Sequence, residues 1–95
     1  MVELVADSVD AATEKHVPKV TTEGGHVHVN VGSVDHPMQP EHYIQFICLV
    51  KDAGYEIHPL QAGEAPATDF YLGEGEVARE VYEFCNIHGL WKLSL

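Results

Sequence analysis

HVHVNV, residues 26–31, alternates strictly, with Val27, Val29 and Val31 on one side and His26, His28 and Asn30 on the other. A period of two is that of a half-buried strand. Gly24-Gly25 before it and Gly32-Ser33 after it punctuate the strand at both ends. Working outward, His42 to Val50 (HYIQFICLV) is rich in β-branched and aromatic residues and apolar on both faces, as a central core strand is. Gly54 turns the chain into a strand over Tyr55 to Leu60, Gly63 to Pro66 reads as loop, and Asp69 to Leu72 as a short strand. Gly73 and Gly75 mark another turn. Val77 to Phe84 is ambiguous: its acids and arginine suit a helix, but Val77, Val81, Tyr82 and Phe84 can line an edge strand. Turn signals recurring roughly every 8–12 residues favour the strand and an antiparallel sandwich. Leu90 to Leu95 closes the chain, with Trp91, Leu93 and Leu95 facing one way. No stretch keeps an apolar face at helical spacing through four turns, so long helices are not expected.

The 95 residues fit one domain, with no repeat or linker to divide them. Five basic against fifteen acidic side chains give a net charge of −10. That balance excludes nucleic acid and anionic membrane as expected partners, because both need clustered Lys and Arg. The longest apolar run, Phe46 to Val50, is far short of the roughly 20 residues of a membrane span. The opening MVELVADSVD has acids where a signal peptide carries positive charge, so a cytoplasmic location is expected. Two cysteines, Cys48 and Cys85, are too few for a disulfide scaffold and should remain thiols. Histidine is over-represented: seven in all, five of them between His16 and His42. Neutral imidazole is the commonest protein metal ligand, so the composition points to a metal.

The chemistry-bearing residues fall at the ends of the expected strands: His16, then His36 and His42 bracketing HPMQPEH, then Cys85 and His88 in CNIHGLW. A Cys-x-x-His pair on a tight turn can present a thiolate and an imidazole to one ion. His36 and His42 are six residues apart with Pro37 and Pro40 between them, which rules out a shared helical face. A proline-stiffened loop can still aim both rings inward at low ordering cost. Four imidazoles and one thiolate exceed a closed tetrahedral zinc site, whereas iron accepts five ligands and leaves a sixth position open.

EKHVP at 14–18, VGSVDHPMQPEHYI at 31–44 and CNIHGLW at 85–91 resemble the iron-binding domain of superoxide reductases, the desulfoferrodoxin and neelaredoxin family. The resemblance spans nearly the whole chain, 1–95, read as a single such domain. It implies an all-β, immunoglobulin-like, seven-stranded antiparallel β-sandwich. It also implies one mononuclear iron (Fe2+/Fe3+), with His16, His36, His42 and His88 as nitrogen ligands and Cys85 as the axial thiolate. The implied activity is one-electron reduction of superoxide to hydrogen peroxide. Glu14 matches a glutamate that in the family closes onto ferric iron after turnover, and Lys15 a lysine held near the open face.

Lys15 and Lys19 are the only cations among the first fifty residues. In so acidic a chain they read as a steering patch for an anionic substrate. The sequence contains no four-cysteine rubredoxin-like module, so the electron is expected from a separate rubredoxin-like donor protein. The family further implies a homo-oligomer, dimer or tetramer.

Competing readings are a blue-copper electron carrier, whose axial methionine is missing from this chain after Cys85 and His88, a structural zinc module, and superoxide dismutation at the iron site. Outside the ligand set, His26 and His28 read as solvated and His58 as loop. Cys48 reads as buried apolar filler and Trp91 as core rather than redox relay. Glu74, Glu76, Glu80 and Glu83 read as a solvated face.

Overall fold

A computed structural model describes residues 13–95, apart from the side chains of Thr13 and Glu14. One helical turn, α1 (Thr13–His16), precedes seven strands: β1 (Pro18–Glu23), β2 (His26–Val31), β3 (Ile44–Lys51), β4 (Gly54–Pro59), β5 (Ala67–Tyr71), β6 (Ala78–Cys85) and β7 (Gly89–Ser94). They form two antiparallel sheets, β1-β2-β5 and β4-β3-β6-β7, stacked as an immunoglobulin-like sandwich. The all-β, seven-stranded expectation holds.

The alternation in β2 is realised in full. Val27, Val29 and Val31 are completely buried, while His26, His28 and Asn30 face outward and stay partly exposed. With Phe70 of β5 they meet Ile44, Ile47 and Leu49 of β3 and Val81 and Cys85 of β6 in one core. Each such aliphatic or aromatic side chain contributes about 1.5–3 kcal/mol on burial, enough to fix the register of β2 against a one-residue slip. Gly24, at φ 60°, takes the left-handed conformation that closes the β1–β2 hairpin. At Gly25 a Cβ would stand 2.8 Å from the Leu72 carbonyl oxygen, so only glycine lets the end of β5 dock there.

β3 is central, as its two apolar faces require. Ile44 pairs with Cys85 and Phe46 with Phe84, leaving Gln45 as the extra residue of a bulge. The bulge resets the alternation so that Ile44, Ile47 and Leu49 all point inward.

Four details depart from the sequence reading. β1 was not singled out, because Val20 is its one aliphatic residue; its Thr-Thr pair and its ladder to β2 place it in the sheet. Val77 to Phe84 is a strand but not an edge strand, since β6 lies between β3 and β7. Glu83 is fully buried rather than solvated, because strand parity puts it on the inward face with Val81 and Cys85. His58 lies in β4 rather than in a loop. Its ring stacks on Phe70 at 4.1 Å and bonds to Thr68 Oγ1 at 2.8 Å and Glu56 Oε2 at 2.9 Å.

Among the described residues, no helix is long and apolar enough to cross a membrane.

Candidate metal centre

His16, His36, His42, Cys85 and His88 come together at one end of the sandwich, with their five donor atoms within 4.8 Å of one another. His16 is the last residue of α1, His36 and His42 lie in the loop from β2 to β3, Cys85 ends β6, and His88 sits in the turn to β7. His16, His36 and Cys85 are at most 2% exposed.

The rings form a closed cycle. His16 meets His36 edge-on (centroids 4.7 Å, planes at 75°) and His88 likewise (4.8 Å, 89°). His42 meets the same two rings, His36 at 4.6 Å and 85° and His88 at 5.1 Å and 75°. His16 is therefore opposite His42, and His36 opposite His88. His16 Nε2 is 3.0 Å from His88 Nδ1 and 3.2 Å from His36 Nε2. Cys85 Sγ is 3.4 Å from His36 Nε2 and 3.9 Å from His88 Nδ1.

Hydrogen bonding within the protein leaves part of this set open. His36 Nδ1 donates to the Pro37 carbonyl at 2.7 Å, which leaves Nε2 of the neutral ring as a bare acceptor aimed at the cluster. His42 Nε2 is buried with no hydrogen-bond partner among the described residues. A cation resolves both conditions. Nitrogens bound at about 2.1 Å lie about 3.0–3.4 Å apart when adjacent, and the two His16 pairs are at 3.0 and 3.2 Å. The residues fit a metal, and a donor set of four imidazoles and a thiolate suits iron better than a four-coordinate zinc site.

The electrostatics favour the ligating forms of the rings. Burial, reinforced by the neighbouring imidazoles and opposed by the Pro37 hydrogen bond, lowers the His36 pKa to about 4. Burial, His88 and Lys15 lower that of His42 against the pull of Glu41. Both rings are thus neutral at pH 7. The Cys85 thiol is pushed up by burial and by Glu83, against the backbone N–H groups of His88 and Ile87. Its deprotonation therefore needs a cation beside it.

Two supporting residues were missed by sequence reasoning. Asn86, inside the Cys-x-x-His turn, accepts from the Tyr43 N–H through Oδ1 (3.0 Å) and donates through Nδ2 to the Glu41 carbonyl (3.1 Å). It clamps the loop on either side of His42. Trp91, expected as core and 5% exposed, also stacks on His16 (5.0 Å, 27°) and donates through Nε1 to the His88 carbonyl at 3.2 Å. An asparagine within a ligand turn was the available signal for the first; nothing in the sequence marked the second as a ligand support.

Lys15 is exposed beside His16, and its charge reaches His42. Lys19 does not join it: it lines a hollow with Thr21, His28, Asn30 and Asp35 on the solvent face of the first sheet. The Glu14 side chain is outside the described residues. Cys48 is buried, and burial raises its thiol pKa, as suits a core filler.

The sequence model of the family described as Desulfoferrodoxin matches residues 8–94. A desulfoferrodoxin from Clostridium acetobutylicum is 42% identical over 95 residues, covering all of this chain and 74% of its own length. A superoxide reductase from Pyrococcus abyssi is 32% identical over 102 residues, covering 90% of this chain and 89% of its own. The crystal structure of the superoxide reductase from Treponema pallidum superposes with a TM-score of 0.91 at 45% identity, over 96% of this chain and 75% of that one. The superoxide reductase (1Fe-SOR) from Giardia intestinalis gives 0.70 at 27% identity, over 86% of this chain and 99% of that one.

Proposed function

Since the chain belongs to the desulfoferrodoxin family, we propose that it is a superoxide reductase with one iron held by His16, His36, His42, His88 and Cys85. The observation that carries this reading is the closed ring cycle beside the Cys85 sulfur, with the buried His42 Nε2 left for a cation. The reaction takes superoxide, one electron and two protons to hydrogen peroxide, with no oxygen released. Iron held by these five residues would supply the electron, and a rubredoxin-like donor protein would replace it.

The chain's own residues do the remaining work. Four neutral imidazoles and one thiolate keep the negative charge of the donor set low for a site that must admit an anion. The backbone N–H of His88 donates to Cys85 Sγ at 3.4 Å and stabilises the sulfur as thiolate. Lys15 places a positive charge at the edge of the site in a chain of net charge −10, drawing superoxide in and orienting a proton-donating water. Glu14, next in sequence, is assigned the closing of the site between turnovers. We place the protein in the cytoplasm as a dimer or tetramer of single-domain chains.

Rapid mixing of the reduced, metal-analysed protein with superoxide tests this. Iron oxidation matched by peroxide, without oxygen, is the expected result. Oxygen evolution assigns dismutation instead, and copper or zinc at full occupancy after native purification overturns the iron reading. In the same experiment Lys15→Ala lowers the second-order rate about tenfold at low salt and flattens its salt dependence. An unchanged rate removes Lys15 from the mechanism.

A further inference from the structure

The solvent face of the first sheet carries a second group of metal-ligating side chains. β2 presents His26 and His28 two residues apart on its outer side, and the β2–β5 register sets Asp69 directly opposite His28. His26 Nε2 and His28 Nδ1 each lie 2.7 Å from the same Asp69 oxygen, Oδ1. The three donor atoms fall within 4.8 Å of one another. We infer that His26, His28 and Asp69 form a second metal site, for a divalent late first-row transition ion such as Zn2+, separate from the buried centre and independent of its occupancy.

The donor chemistry carries the assignment. Two imidazoles and one carboxylate on a rigid scaffold, with a further position open to water, are a recognised zinc donor set. The side chains are about 42–44% exposed, so an ion reaches them without any movement of the fold. Ordering is already in place: the His26 ring lies flat on Tyr71 (5.0 Å, 12°), and two neighbouring strands fix all three Cα positions. Without an ion, both rings point N–H groups at Asp69. Binding requires those two nitrogens to present lone pairs to the ion, which an imidazole does by carrying its proton on the other ring nitrogen. The hydrogen bonds from His28 and His26 hold the Asp69 carboxyl below the usual carboxylate range, in the ionised form a cation requires. Glu23, which faces His26 across the β1–β2 ladder, adds a second acid to the same surface.

The test uses the iron-loaded protein, with the visible iron band and the iron content followed throughout so that the buried centre stays filled. Zn2+ is titrated against a chromogenic chelator, and Co2+ is titrated in parallel for its ligand-field spectrum. One further Zn2+ per chain is expected, with a Co2+ spectrum typical of four-coordination. Asp69→Asn and His26→Gln each weaken that second site by more than the roughly 10–100-fold that loss of an outer partner costs. Both substitutions are partly exposed, and unchanged iron content shows that each variant is folded. Absence of a further bound ion, or Zn2+ binding that survives in both variants, overturns the assignment.

Discussion

The two histidine clusters of this chain are built in opposite ways. At the end of the sandwich, five donors come from a helical turn, a loop, a strand end and a turn, and His16 and His88 are 72 residues apart. On the sheet face, three donors come from two adjacent strands whose register alone brings them together. The buried cluster leaves His42 Nε2 without a hydrogen-bond partner among the described residues and holds His36 and His42 neutral. The surface cluster pairs its rings with a carboxylate in reach of water. Burial makes the first set costly to leave without an ion, whereas the second is already satisfied. A thiolate separates them chemically as well, since only the buried site offers a soft donor.

The largest expected effect sharpens that last difference. Cys85→Ser removes the thiolate and abolishes the sulfur-to-iron absorption in the visible, while leaving Zn2+ binding at Asp69 unchanged. Survival of the band in that variant means that sulfur is not a ligand. A smaller effect tests burial. In the metal-free chain burial lowers the His36 pKa to about 4 from the ordinary histidine value of 6.5. Between those values the unfolded chain takes up a proton that the folded chain refuses, so stability falls as pH drops from 6.5 to 4 and is level above 6.5. A loss in melting temperature of about 5 °C or more across the window is expected. His36→Gln flattens the profile. An equal slope in that variant assigns the effect to other groups.

Legibility followed the same division. The strand with the cleanest period, His26–Val31, was read to its ends because alternation needs no tertiary context. β1 and the interior position of β6 were not, because their place depends on ladder partners distant in sequence. Glu83 shows the limit plainly: its charge argued for solvent, and only its parity with Val81 and Cys85 turned it inward. All five residues of the buried cluster were named because their chemistry is visible residue by residue and their order matches a known family. The surface cluster was read as two solvated histidines, since Asp69 joins them only through the β2–β5 register. Lys19 is close to Lys15 in sequence, but its place on β1 sets it in a hollow with His28, Asn30 and Asp35.

Asn86 gives the smallest expected effect and bears on how the loop-built cluster holds its shape. Its amide satisfies the Tyr43 N–H and the Glu41 carbonyl, the backbone groups flanking His42, while its own N–H reaches the Tyr43 carbonyl at 3.2 Å. Asn86→Ala keeps that last bond and removes the other two, at a cost of about 1–2 kcal/mol in stability for partly exposed groups. The consequence for His42 is looser placement, so a chelator should strip iron about tenfold faster, within the range expected for a residue that orients a ligand. Asn86→Asp retains the acceptor for Tyr43 and recovers part of the loss. The surface site, which has no loop to hold, keeps its Zn2+ affinity in both variants. Equal weakening of the two sites by Asn86→Ala indicates a general loss of stability, and the clamp is then not specific to His42.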